Sequence, residues 1–456
     1  MDSLLNFLFP NEFLRGLAED LILVLWGAWV DWWWLVLPPV LFFVALDYWK
    51  NYKKEQFVSK IEWVVLELRV PQDIEATPKT MEQVFSSLAA TASSPGWKDE
   101  AKEGKVPLWL SFEMLGQHKQ GVSFFVRIPK EFQRLVETQI YSQYPQAEIS
   151  LAEDYIKRFS SLPDNYYDIW GAELALAEEA VYPIKTYPFF EEVKEEKRLD
   201  PLAPFLEILS HLKEGEEIWL QIVLRGLTKD QSKALKEESK KSINKLIGKK
   251  EEEKKPGTFG FAKGLVDETK NVAKKFVADI GPALGAPAGG EEKKEEKKED
   301  RPSLIQFLTP GEKEKVEKAE EKLSKTVFET EIRVVYVAPK SIFDKKSHSS
   351  AVKSYFRTFN LAHLNGFKEK DGPKHPFYLK WFFGKNLEFQ DINKFFKACA
   401  GREIGGPETK DILKKLILNS EELATLYHFP LTKVEAPRLY RLQTKKYEPP
   451  PNLPVI

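Results

Sequence analysis

The chain has 456 residues and a formal net charge of -1, from 68 Lys+Arg against 69 Asp+Glu. Its 43% apolar content suffices for sizeable cores, and its 30% charged content exceeds the ordinary share. The near-neutral balance argues against nucleic-acid binding driven by global basicity. A single cysteine, Cys399, excludes an internal disulfide framework and any four-Cys zinc or iron–sulfur site.

In chain order, residues 1–20 (with SLLNFLFPNEFLRGL at 3–17) have the pattern of an interfacial segment. Residues 21–50 read as a transmembrane anchor, since Leu21 to Leu46 carries one charge, Asp31. A spanning helix needs about 20 apolar residues. Trp32, Trp33 and Trp34 at one end and Tyr48 and Trp49 at the other have the placement of aromatic belts. Lys50, Lys53 and Lys54 follow directly, and this basic flank puts the large C-terminal part on the cytoplasmic side. The expectation is a single-pass protein of the cell membrane, with the lipid bilayer as a partner. A cleaved signal peptide fits less well, for lack of a basic start and a small-residue cleavage site. A buried soluble helix suits three consecutive tryptophans less well than an interface does.

Residues 58–155 have the order strand, helix, strand, strand, helix, strand, a ferredoxin-like unit. Val64, Leu66, Leu68 and Val70 alternate with polar residues as a half-buried strand. Thr80 and Gln83 have capping-box spacing, and Met81, Val84, Phe85 and Leu88 form one helix face. Leu108 to Leu115 and Val122 to Ile128 form a hairpin over His118-Lys119-Gln120-Gly121. A helix after Pro129 and a short strand at 146–152 close the unit.

The order recurs over 165–226 plus 327–400. Ile169 to Ala177 alternates as a strand, Asp200-Pro201 has the pattern of a helix start, and Ile218 to Arg225 matches Leu108 to Leu115. Val334 to Lys340 mirrors Phe124 to Lys130, with a helix through Val352, Tyr355, Phe356 and Phe359 beyond it. Phe377 to Phe383 is the candidate closing strand. The matching order predicts a duplication. In the second unit the hairpin turn is replaced by residues 227–326, a charged, partly disordered insertion with helices at Lys229 to Ile247, 259–280 and Glu312 to Lys325. Residues 401–456 hold a helix near Glu408 to Leu418, a short one from Ser420, and a proline-rich tail. The fold class is therefore α+β: an N-terminal transmembrane helix followed by two ferredoxin-like units.

No G-x-x-x-x-G-K-[ST] loop occurs, so phosphate-cradling chemistry has no motif here. The six histidines are scattered without metal-ligand spacing, and His348, among serines, reads as a loop residue. Cys399 in KFFKACAGRE reads as a small buried residue near a helix end. No catalytic residue, cofactor or metal is therefore assigned. A polar pocket between the two units would be the sign of an enzyme. Ferredoxin-like sheets also bind single strands by stacking bases on sheet aromatics, for which Trp63, Phe112 and Phe124 are candidates; packing in cores is the favoured reading.

The segments KTMEQVFSSLAA (79–90), FFVRIPKEFQRLVETQIYSQYPQAEI (124–149), DPLAPFLEILSHLKEGEEIWLQIVLR (200–225) and LNSEELATLYHFPLTKVEAPRL (418–439) carry a resemblance. The chain resembles the N-terminal, non-ATPase half of a family of bacterial membrane proteins related to conjugative type IV secretion ATPases. In longer relatives a tail like PPPNLP leads into a P-loop DNA-translocating domain, whereas this sequence stops at Ile456. The resemblance implies a non-enzymatic, membrane-anchored docking or scaffold subunit of a type IV secretion or conjugative DNA-transfer apparatus. Its partners would be a separate P-loop ATPase or secretion-system subunits, with a homo-oligomer admitted and direct nucleic-acid contact left open. The alternative is a membrane-tethered nucleic-acid-binding module.

Overall fold

The computed structural model describes residues 27, 37–38, 40–71, 77–91, 99, 102–190, 199–247, 308–372, 377–404 and 411–430. The interfacial segment at 1–20, Trp32 to Trp34, the expected helix at 259–280 and the proline-rich tail lie outside them.

The first helix, α1 (residues 40–58), starts apolar and turns charged within two turns, through Asp47, Lys50, Lys53, Lys54 and Glu55. No helix among the described residues is long and apolar enough to cross a membrane. This corrects two expectations, the N-terminal transmembrane helix in the fold class and the single-pass placement in the cell membrane. The physical reason is length: the apolar stretch of α1, Val40 to Leu46, covers only part of the helix.

The rest is α+β. The first half runs β1 (Trp63–Arg69), α2 (Pro78–Ser87), β2 (Leu110–Gln117), β3 (Gly121–Pro129), α3 (Gln133–Gln143) and β4 (Glu148–Ala152). Helix α2 begins at Pro78 behind Thr77 with no side-chain cap, so Thr80 lies inside the helix instead of opening a capping box. The β2–β3 turn closes at Gly121, whose φ of +71° is the left-handed conformation glycine tolerates.

The second half runs β5 (Tyr167–Leu176), α4 (Ala203–Ser210), β6 (Glu217–Gly226), α5 (Lys229–Leu246), α6 (Pro310–Ser324), β7 (Val327–Pro339), α7 (Lys345–Arg357) and β8 (Phe367–Glu369). The closing strand is thus Phe367–Glu369; residues 377–383 belong instead to α8 (Phe377–Gly401). Helix α4 starts two residues after Pro201, although Asp200 still catches the Leu202 N–H at 2.7 Å. The expected helix near 408–418 is replaced by a 3-10 turn (Ile412–Lys414) and β9 (Ile417–Asn419), followed by α9 (Ser420–Leu426). Asn419 and Glu422 form a capping box for α9.

The strands form one nine-stranded sheet in the order β4-β1-β3-β2-β6-β7-β5-β8, with β9 pairing to β7. Every pairing is antiparallel. The two halves are therefore welded through β2 and β6, from Leu110 opposite Leu224 to Gln117 opposite Glu217. Alternation gives the sheet two faces. On the first, Leu66, Phe112, Val126, Ile222 and Val334 pack under α2, α3, α4, α7 and α9 in the main core. On the second, a smaller apolar group around Phe125, Tyr155, Trp219 and Val335 packs against α8, and it is interspersed with buried polar and charged side chains such as Ser111, Glu113, Gln221 and Arg333.

The insertion's two described helices lie back against the body. Helix α5 buries Leu235 and Ile243, and α6 buries Ala319 and Lys322. Both carry Thr-led capping boxes, which suits charged helices with narrow apolar stripes.

Candidate functional site

The second face concentrates the chemistry. In register across the sheet stand Phe125, Glu113, Gln221, Arg333 and Glu173. The C-terminal end of α8 sits on this row, and its carbonyls need donors. Gln221 Nε2 donates to the Cys399 carbonyl at 3.2 Å, and Arg127 Nη1 to the Gly401 carbonyl at 3.2 Å. Arg333 Nη2 donates to the Glu403 carbonyl at 2.6 Å. Two sheet arginines thus meet the negative end of a helix, the favourable sign for its dipole.

Arg402 ends α8 with a φ of +50°, which turns its side chain back into the sheet. Its guanidinium donates to Glu113 at 3.0 and 3.1 Å and to Asp154 at 2.7 and 2.8 Å. Glu113 also accepts from Ser111 Oγ and Tyr155 OH, both at 2.6 Å. Glu113 and Arg402 are both fully buried. Burial pushes the Glu113 carboxyl up, but the charge and hydrogen bonds of Arg402 overcome this and hold it below the usual carboxylate range. Next along the face, Arg333 pairs with Glu173 and Glu331, each at 3.0 Å, and Lys370 bridges the same two carboxylates. Glu329 accepts from Arg225 at 2.8 Å and from Lys415 at 2.9 Å. These groups neutralise one another, an arrangement that holds elements in place and consumes the charges a ligand would need.

A second buried pair joins the insertion to the C-terminal segment. Lys322 on α6 lies 3.1 Å from Glu422 on α9, both almost without exposure. Lys322 also donates to the Tyr182 carbonyl, and Glu422 accepts from the Ile184 N–H. Burial dominates both groups, lowering the lysine and raising the carboxyl.

The residues singled out in the sequence scatter. Tyr48, Trp49, Lys50, Lys53 and Lys54 sit on α1, where Tyr48 is 77% exposed and Lys53 Nζ lies 4.9 Å from the Trp49 ring. Phe112 and Phe124 are on the buried first face, with Tyr427 at 5.1 and 5.7 Å, so neither offers a ring to a base. Trp63 packs against Trp109 and under the Arg127 guanidinium, 4.0 Å from its centroid. Cys399 is buried, and burial pushes its thiol up to about 12, the condition of an inert cysteine. His348 lies on α7, stacked on Tyr336 at 4.0 Å, rather than in a loop. A cleft of about 440 Å³ opens between Phe57, Ile61, Leu108 and Pro129, beside the first half rather than between the halves. No group of three His, Cys, Asp or Glu suited to a metal ion occurs among the described residues.

Arg402, Glu113, Asp154, Lys322 and Glu422 were not legible as a group in the sequence. The one available signal was charge at strand positions where alternation demands an inward side chain, as at Glu113 and Arg333.

The chain matches the model of a family described as a domain of unknown function (DUF8128) over residues 48–441. The chain therefore belongs to that family. No curated protein matches it.

Proposed function

We propose that the protein is a non-enzymatic docking scaffold, serving a transfer apparatus of the type IV secretion or conjugative kind beside a separate P-loop ATPase. The observation that carries the scaffold reading is the one-piece sheet. Two ferredoxin-like halves share the β2–β6 seam, and the polar groups of the second face are spent on holding α8 and the C-terminal segment. Such a body presents fixed surfaces and keeps its reactive groups inside. The insertion offers the docking element: α5 carries exposed lysines such as Lys233 and Lys241 on a helix pinned to the body through Leu235 and Ile243. The ATPase partner comes from the resemblance of segments 79–90, 124–149, 200–225 and 418–439.

The test is site-specific photocrosslinking in cells that express the full chain. A crosslinker replacing Lys233 or Lys241 should capture a P-loop ATPase, while one replacing Lys157, in the 3-10 turn that follows β4, should not. Recovery of no ATPase from either α5 position would overturn the reading.

A further inference from the structure

The sheet ends at β4, and among the described residues β4 pairs with β1 alone. The direction of its free hydrogen-bonding groups follows from the register. The Lys130 N–H bonds the Glu62 carbonyl at 2.8 Å, and Trp63 stands opposite Pro129. Even-numbered residues of β1 therefore turn their backbone groups to β3. Odd-numbered ones turn theirs to β4, where Val65, Glu67 and Arg69 meet Ala152, Ser150 and Glu148. The N–H and C=O groups of Ile149 and Leu151 consequently point away from the sheet.

Natural sheets guard such edges with proline, lysine, bulges or covering elements. The sequence of β4, EISLA, contains no proline or lysine. Instead it displays Leu151, 68% exposed, beside Ile149 on the apolar first face. Tyr141, on the helix that leads into β4, is 42% exposed.

We propose that this edge is a two-fold interface at which β4 pairs antiparallel with β4 of a second copy of the chain, centred on Ser150. The register is self-complementary. Ile149 stands opposite Leu151 of the second copy and Leu151 opposite its Ile149, and both are outward-bonding positions. Each pair exchanges two backbone hydrogen bonds, and the exposed leucine meets an isoleucine. Glu148 falls opposite Ala152 and Glu153 opposite Ala147, so no carboxylates face each other. A shift by two residues toward the C-terminal end would set Glu148 against Asp154 and is disfavoured by like charge. An isologous contact of this kind closes on itself and makes one continuous sheet across two chains. The inference rests on the edge geometry and not on the docking reading.

The test uses the full chain. Ser150 lies on the axis in a non-hydrogen-bonded pair, for which the Cα separation is about 4.5 Å. That distance is within disulfide range, roughly 4.4–6.8 Å. Ser150→Cys should therefore give a covalent dimer on mild oxidation, whereas Glu148→Cys, whose counterpart is Ala152, should not. Buried Cys399 stays out of the reaction. Sedimentation should show a dimer for the unaltered chain and a monomer for Leu151→Pro. That substitution deletes one outward N–H and leaves the ladder to β1 intact, as an unchanged far-ultraviolet circular dichroism spectrum should verify. A monomer at tens of micromolar, a dimer that survives Leu151→Pro, or equal crosslinking at 148 and 150 would each overturn the proposal.

Discussion

Arg402 and Glu113 are 289 positions apart in the chain and meet in a two-pronged hydrogen bond, Nε to Oε1 and Nη2 to Oε2. One end of this contact terminates α8; the other stands in the second strand of the first half. It joins the end of α8 to the first half of the sheet. Replacing Arg402 by Met should leave Glu113 and Asp154 as uncompensated buried carboxylates and cost about 3–5 kcal/mol. Arg402→Lys should recover little, because an ammonium cannot reproduce the planar fork. Denaturant unfolding of both variants is the measurement, and a Lys variant as stable as the parent would contradict the account.

The Lys322–Glu422 pair makes a contrasting prediction. Removing one partner alone, as in Lys322→Met, should destabilise by about 3–5 kcal/mol. Combining it with Glu422→Gln should restore part of that loss. The amide oxygen can still accept from one of the Asn419 and Ile184 N–H groups, which donate to separate carboxylate oxygens in the parent, and the amide carries no charge to be stranded, so the recovery is partial. A double-mutant cycle in thermal unfolding reads the coupling directly.

Acid should loosen the second face. Glu113, Asp154, Glu173 and Glu329 are all held below the usual carboxylate range, in each case by arginine or lysine partners acting against burial. A carboxyl depressed in the folded state contributes stability above its unfolded value, about 4, and loses it as pH falls through the folded value. The melting temperature should therefore hold from neutrality to roughly pH 4.5 and drop steeply below. Glu113→Gln, less stable at neutral pH, should show a shallower acid slope; an unchanged slope would remove Glu113 from the explanation.

Gly171 offers a steric probe of the α8 seat. A Cβ at this position would overlap the Phe395 ring. Gly171→Ala should thus lift α8 from the sheet and cost about 1–3 kcal/mol, the ordinary penalty of overpacking. Amide hydrogen exchange should rise along the C-terminal half of α8 and stay unchanged in α2 and α3, which lie on the opposite face.

Much of the architecture is readable from alternation and helical spacing. The strands around Leu66, Phe112, Val126, Ile222 and Val334 and the helix faces of Val84, Phe85, Val352 and Phe356 fall where those periods put them. Where the reading fails, the reason is local. The closing strand Phe367–Glu369 has three residues, too few to establish a period of two, while the apolar run at 377–383 fits strand and helix equally well. The tryptophan-rich start has the composition of a span, but in the described part of α1 the charges arrive too early. The buried network is illegible for a different reason: Arg402 and Asp154 are separated by 248 positions, and no local spacing announces a contact made only by the finished sheet.

The seam between β2 and β6 has a mechanical consequence. Eight consecutive residue pairs cross it, from Leu110–Leu224 to Gln117–Glu217, so the halves have no swivel between them. A push delivered at the α5–α6 end of the molecule travels undamped to the far rim at β4, as through a plank rather than a joint. Whatever this protein grips at one end, it must move bodily with it.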